Sequence, residues 1–130
     1  MPDDDSSRFR WSPSAISVDA ECAREIAGAD WELGFEEWKR VLQTLQDLAG
    51  LTWREVLQLT AGEHKRNHSQ SVGDLHPAAQ AVYADRDVEV AFRVRVDGAG
   101  RIWGQRDRAV FYPIIYDRDH KVYEVAKRNT

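Results

Sequence analysis

Apolar residues recur with two different periods along this chain, and the change of period separates a helical first part from a sheet-forming last part. Phe35, Trp38, Val41, Leu42, Leu45 and Leu48 fall at helical spacing, which predicts an amphipathic helix over 35–49 with Gly50 as its stop. Thr52 and Glu55 are placed as a capping-box pair, opening a second short helix with Trp53, Val56 and Leu57. Pro77 in the Ala-rich stretch 75–84 fits the first turn of a third. From Val88 the period falls to two. Val88, Val90, Phe92, Val94 and Val96 alternate with Glu89, Ala91, Arg93 and Arg95, so one strand face is apolar and the other presents two arginines. Asp97-Gly98-Ala99-Gly100 turns the chain, and Arg101 to Arg106 returns along it. Ala109 to Tyr116 is apolar on both faces, as a covered central strand would be, with Pro113 predicting a bulge or an edge position. Asp117 to His120 makes the next turn before a final strand over 122–125.

The rest of the chain is less periodic. Phe9 and Trp11 alternate with polar neighbours and predict a short strand able to pair with the edge of the later sheet. Asp19 to Ala27 is read as a short helix ended by Gly28, and the polar stretch Ala61–Gly73 as a surface loop. Residues 1–7 read as a disordered tail. The expectation is a single α+β domain over 8–130, with N-terminal helices packed on a C-terminal antiparallel β-meander of about four strands.

A length of 130 residues and 42% hydrophobic content suit one domain with a true core. The single cysteine, Cys22, excludes an internal disulfide and a cysteine-rich zinc site. No run reaches the ~18 apolar residues of a membrane helix, and the first residues are acidic, so the expected setting is cytoplasmic with no membrane partner. Charge is segregated. Residues 91–130 hold nine Lys and Arg against five Asp and Glu, leaving −8 on the first 90 residues of a chain whose net charge is −4. A basic sheet suits an anionic ligand, and an acidic helical part suits a basic protein partner.

The four histidines, His64, His68, His76 and His120, show no metal-specifying spacing. The one glycine-rich turn lies between strands rather than before a helix, and no serine sits in a nucleophile elbow. No cofactor or metal is expected. What remains is His120, Tyr123 and Lys121 with Arg93, Arg95, Arg101 and Arg106, joined by His64, Lys65, Arg66 and His68 from the preceding loop. Metal-independent RNA cleavage needs these residue types: proton-transfer groups near neutrality and fixed cations for the phosphorane. The competing reading is that Arg93 and Arg95 are only solvated and that Trp38, Trp53 and Trp103 are core residues.

The run Phe92–Val96, Arg101–Arg106 and Val110–Tyr123, with the Trp38–Leu48 and Leu51–Trp53 helices, the Val72–Leu75 segment and the close Lys127–Thr130, resembles a family of small bacterial proteins without an established activity. The helix-then-sheet order and the segment His120-Lys121-Val122-Tyr123 also resemble RelE/ParE-type toxins and the barnase-like ribonuclease folds. That second resemblance implies His120 and Tyr123 as acid and base, with Arg101 or Arg106 at the scissile phosphate. This chain departs from the toxin pattern in its acidic net charge, its longer N-terminus and its extra Trp53 helix. The leading expectation is a toxin-like endoribonuclease with RNA as substrate and a cognate antitoxin as partner, using His120, Tyr123 and His68 for proton transfer. The alternative is a non-enzymatic antitoxin, immunity protein or phage inhibitor that docks through its acidic helices, and a third is a subunit that self-associates through a sheet edge.

Overall fold

The computed structural model describes residues 4–17 and 22–123. Its main sheet holds β1 (Arg10–Trp11), β4 (Asn67–Ser71), β5 (Val90–Arg95), β6 (Arg101–Asp107) and β7 (Val110–Asp117) in the order β1-β7-β6-β5-β4. Every pairing is antiparallel except that of β1 with β7. A separate hairpin joins β2 (Thr60–Ala61) to β3 (His64–Lys65). The helices are α1 (Phe35–Ala49), α2 (Trp53–Gln58) and α3 (Pro77–Ala84). The expected α+β class and its helix-then-sheet order are therefore present.

The sheet is the middle of three layers. On one face Val41, Leu45 and Leu48 of α1 and Trp53 and Val56 of α2 pack against Phe92, Val94, Ile102, Phe111 and Tyr116. On the other, Ala79, Val82 and Tyr83 of α3 pack with Cys22, Ile26 and Val122 against Ala91, Trp103, Ile114 and Ile115. Capping sets the helix starts. Thr52 and Glu55 cap α2 reciprocally, and the Glu37 carboxylate accepts the Gly34 N–H at 3.2 Å ahead of α1. Phe35 and Leu42, predicted for the apolar face of α1, stay 76% and 46% exposed; they lie off the stripe of Val41, Leu45 and Leu48.

Pro113 does mark a bulge. Gly104 pairs with Pro113 and Trp103 with Ile115, so Ile114 is an extra residue and both isoleucines reach the α3 side. The opposite strand accepts this only at a glycine, because a Cβ on Gly104 would collide with the Tyr112 carbonyl.

Four expectations change. The polar stretch 61–73 is largely strand, and β4 within it supplies the fourth neighbour of the meander at its edge. Its side chains are polar because an edge strand is paired on one side only. Val122 and Tyr123 form a bend rather than a strand, and residues 124 and 125 lie outside the described residues. Of the helix expected over 19–27, a 3-10 turn at Cys22–Arg24 is present, and 19–21 are likewise outside. Within the expected tail, Asp4–Ser6 form a 3-10 turn and Asp5 pairs with Arg106 at 2.6 Å. No helix among the described residues is long and apolar enough to cross a membrane.

Candidate functional site

Strands in register lay their side chains out in rows. On the α3 side, His68, Arg93, Trp103 and Ile115 make one row across β4, β5, β6 and β7, and Arg95, Arg101 and Asp117 make the next. Facing residues in such rows have Cβ atoms about 5 Å apart and successive rows lie about 7 Å apart. Sheet geometry alone thus gathers three arginines and a histidine that are widely separated in sequence.

Two of these arginines are buried and Arg95 is half-buried. Arg93 is 8% exposed and Arg101 4%, so the expectation that this face is open fails: α3 and the segments at 22–26 and 117–123 cover it. Their guanidinium groups are tethered. Arg101 Nη1 donates to the carbonyls of Asp97, Gly98 and Gly100 at 2.9, 3.3 and 3.0 Å, and Arg93 Nη2 to those of Lys65 and Arg66 at 3.1 and 3.2 Å.

Asp117 organises the turn that follows β7. It is fully buried, and its two carboxylate oxygens accept the backbone N–H groups of Lys121 and Val122, each at 2.9 Å. His120 completes the reversal with a left-handed φ of 59°, and its imidazole returns to the arginine face half-buried. Tyr123 sets its ring edge-on to Trp103, with centroids 6.5 Å apart.

Burial and mutual repulsion shape the charges. Burial, then the fields of Arg101 and Arg95, pushes Arg93 down to about 10. Arg101 is lowered by burial and by Arg95, against the pull of Asp117 and Asp97. His120 is lowered by burial and by Arg101, with Asp117 opposing and Arg93 and Arg95 adding to the effect. His68 is lowered by burial, against its bond to the Ser69 carbonyl, and further by Arg93 and Arg101. Both imidazoles are therefore held neutral near pH 7. A carbonyl can only accept, so the 2.9 Å contact puts the proton of His68 on Nδ1 and leaves Nε2 with its lone pair.

Four buried side-chain nitrogens lack a hydrogen-bond partner among the described residues: Arg93 Nε, Arg101 Nε, Trp103 Nε1 and His120 Nε2. All four belong to this one site.

The structure thus brings together His68, His120, Tyr123, Arg93, Arg95 and Arg101. It does not bring Arg106. Residues 101, 103 and 105 of β6 point to the α3 side, so position 106 falls on the other face by strand parity. There the Arg106 guanidinium lies 4.0 Å from the Trp53 ring centroid and pairs with Asp5. Lys65 and Lys121 are exposed at the margin. Arg66 borders a separate cavity of about 230 Å³ with Thr44, Asp47 and Leu48 at the end of α1, to which Arg95 also contributes. His64 is exposed, and His76 caps α3 by accepting the Ala78 N–H. Sequence reasoning placed Trp103 in the core, where it lies, without its place in the row of Arg93, and read Asp117 as an ordinary turn residue. The parity that Trp103 shares with Arg101 was the available signal.

No protein-family model matches this chain, and no curated protein or solved structure matches it significantly.

Proposed function

We propose that this protein is a metal-independent endoribonuclease that holds the scissile phosphate against the α3-side face of its sheet. The observation that carries the proposal is the position of two neutral histidines, His68 and His120, beside the buried arginine cluster. His68 Nε2 takes the proton of the ribose 2′-hydroxyl as the 2′-oxygen bonds to phosphorus, and the arginines stabilise the phosphorane. The P–O5′ bond then breaks, and the 5′-oxygen leaves with a proton from His120, giving a 2′,3′-cyclic phosphate. An arriving phosphate cancels part of the arginine field that lowers His120, so substrate itself promotes the protonated form that the acid step needs. The half-buried His68, His120 and Tyr123 form the accessible side of the site.

Incubation of purified protein with RNA in excess chelator tests this. The expected result is cleavage with cyclic-phosphate ends, lost in His68→Ala and His120→Ala variants that keep the wild-type circular dichroism. Intact RNA with folded wild-type protein would refute it. A second reading, a partner-binding protein, is favoured by the exposure of Phe35 and Leu42 beside Glu36 on α1; it predicts that Phe35→Ser and Leu42→Ser abolish binding to a basic protein while RNA stays uncut.

A further inference from the structure

We propose that Arg93, Arg101, Trp103 and His120 form a pocket for one tetrahedral oxyanion, the phosphoryl group of a nucleotide or free inorganic phosphate. This deepens the ribonuclease reading of the same face, yet it stands on its own observation: the four unpartnered nitrogens of that site.

Native interiors leave few buried polar atoms unpaired, because such a group has given up water and gained nothing. Here the unpaired atoms share one address and one chemical sense. Arginine Nε and tryptophan Nε1 can only donate, and histidine Nε2 donates when it carries the proton. The group that satisfies them must offer several acceptor atoms and no donor. It must also be anionic, because the fields of Asp117 and Asp97 reach Arg101 while Arg93 meets only the like charges of Arg101 and Arg95.

Trp103 makes the inference sharper. The half-buried Trp31 donates its Nε1–H to the Ile114 carbonyl at 2.9 Å, and Trp53, the other fully buried tryptophan, donates its own to the Ala109 carbonyl at 2.8 Å. Trp103 is fully buried and has no such partner among the described residues. The site is also preorganised. Backbone carbonyls hold the outer nitrogens of both arginines, which fixes where each Nε–H points, and a fixed donor loses little freedom on binding. The donors of β5 and β6 stand side by side on one face and His120 comes from the turn after β7, so together they can meet separate oxygens of one tetrahedral anion.

The test is a titration of ¹⁵N-labelled protein with sodium phosphate, with sodium chloride at matched ionic strength as control, following the tryptophan indole N–H resonances. The Trp103 signal, assigned by its absence in Trp103→Phe, should shift saturably with phosphate and not with chloride. Trp103→Phe removes one neutral donor together with some buried ring volume and, in protein that keeps the wild-type circular dichroism, should weaken phosphate binding about tenfold; Arg101→Gln should abolish it. A 3′-nucleotide run in parallel separates the two sources: tighter binding than phosphate assigns the pocket to a nucleotide, and equal binding assigns it to the free anion. No saturable shift at millimolar phosphate, an equal response to chloride, or unchanged affinity in Trp103→Phe overturns the proposal. Phosphate binding without RNA cleavage would leave it standing and sink the ribonuclease reading, and cleavage without phosphate binding would do the reverse.

Discussion

Replacing Asp117 by Asn changes one oxygen into an NH₂ group and should be among the most damaging single-atom changes in this protein. Both carboxylate oxygens of Asp117 accept backbone N–H groups at 2.9 Å in a site with no exposure to solvent. Asparagine can keep one of these bonds, but its amide then faces the second N–H donor to donor. A hydrogen bond to a buried charged group contributes about 1.5–3 kcal/mol. Loss of the negative charge also leaves Arg101 and His120 without the carboxylate that favours their protonated forms, so the total cost is about 3–4 kcal/mol. For a domain of this length that corresponds to a fall in Tm of roughly 10–15 °C. Thermal unfolding followed by circular dichroism measures it directly. Asp119→Asn is the matched control: the same chemical change, two residues away, at an exposed position, expected to cost less than about 0.5 kcal/mol. If Asp117→Asn melts within about 2 °C of the wild type, the turn is not held as argued, and the placement of His120 loses its cause.

Two further outcomes are expected. The folded-state pKa values of His68 and His120 lie below their unfolded values, so the unfolded chain binds more protons as the solution turns acidic. Stability is then fully present above about pH 6.5 and is lost as pH falls from there toward the folded-state values; a double His68→Asn, His120→Asn variant should flatten that slope in chemical-denaturation curves at pH 5 to 7.5. Arg106→Ala removes the cation over Trp53 and the pairing with Asp5, both partly screened by solvent, and should cost about 1–2 kcal/mol. Because Arg106 lies on the opposite face, RNA cleavage per folded molecule should stay at the wild-type rate, and a drop in that rate would contradict the parity assignment.

Local signals were legible where the chain's own chemistry decides the outcome. Thr52 with Glu55, Pro77 at a helix start, the Asp97–Gly100 turn and the Pro113 bulge all act over a few residues, and all are found. What escaped depends on partners distant in sequence. The stretch 67–71 is polar and reads as loop, yet it becomes a strand because the edge of β5 offers it hydrogen bonds. The same blindness explains the misplacement of Arg106, whose composition suited a phosphate site and whose parity did not. Grouping His68 and His120 with Arg93 and Arg101 rested on residue type; the register of three strands and one carboxylate-anchored turn is what brings them together.

The pairing of β1 with β7 joins Arg10 to Val110, a hundred residues on, across the one parallel contact of the sheet. Such long-range closure is slow relative to helix formation, because the chain must give up the entropy of a large loop before the contact stabilises anything. Synthesis runs in the same direction as the numbering, so both edge strands, β1 and β4, and all three helices are made before the first central strand, β5. β7 brings the bulge, the seat for β1 and the buried carboxylate of Asp117 all at once. Until β7 and its turn have been made, a growing chain can bring its arginines together on the β5–β6 hairpin but lacks the Asp117 carboxylate and the His120 that complete the site.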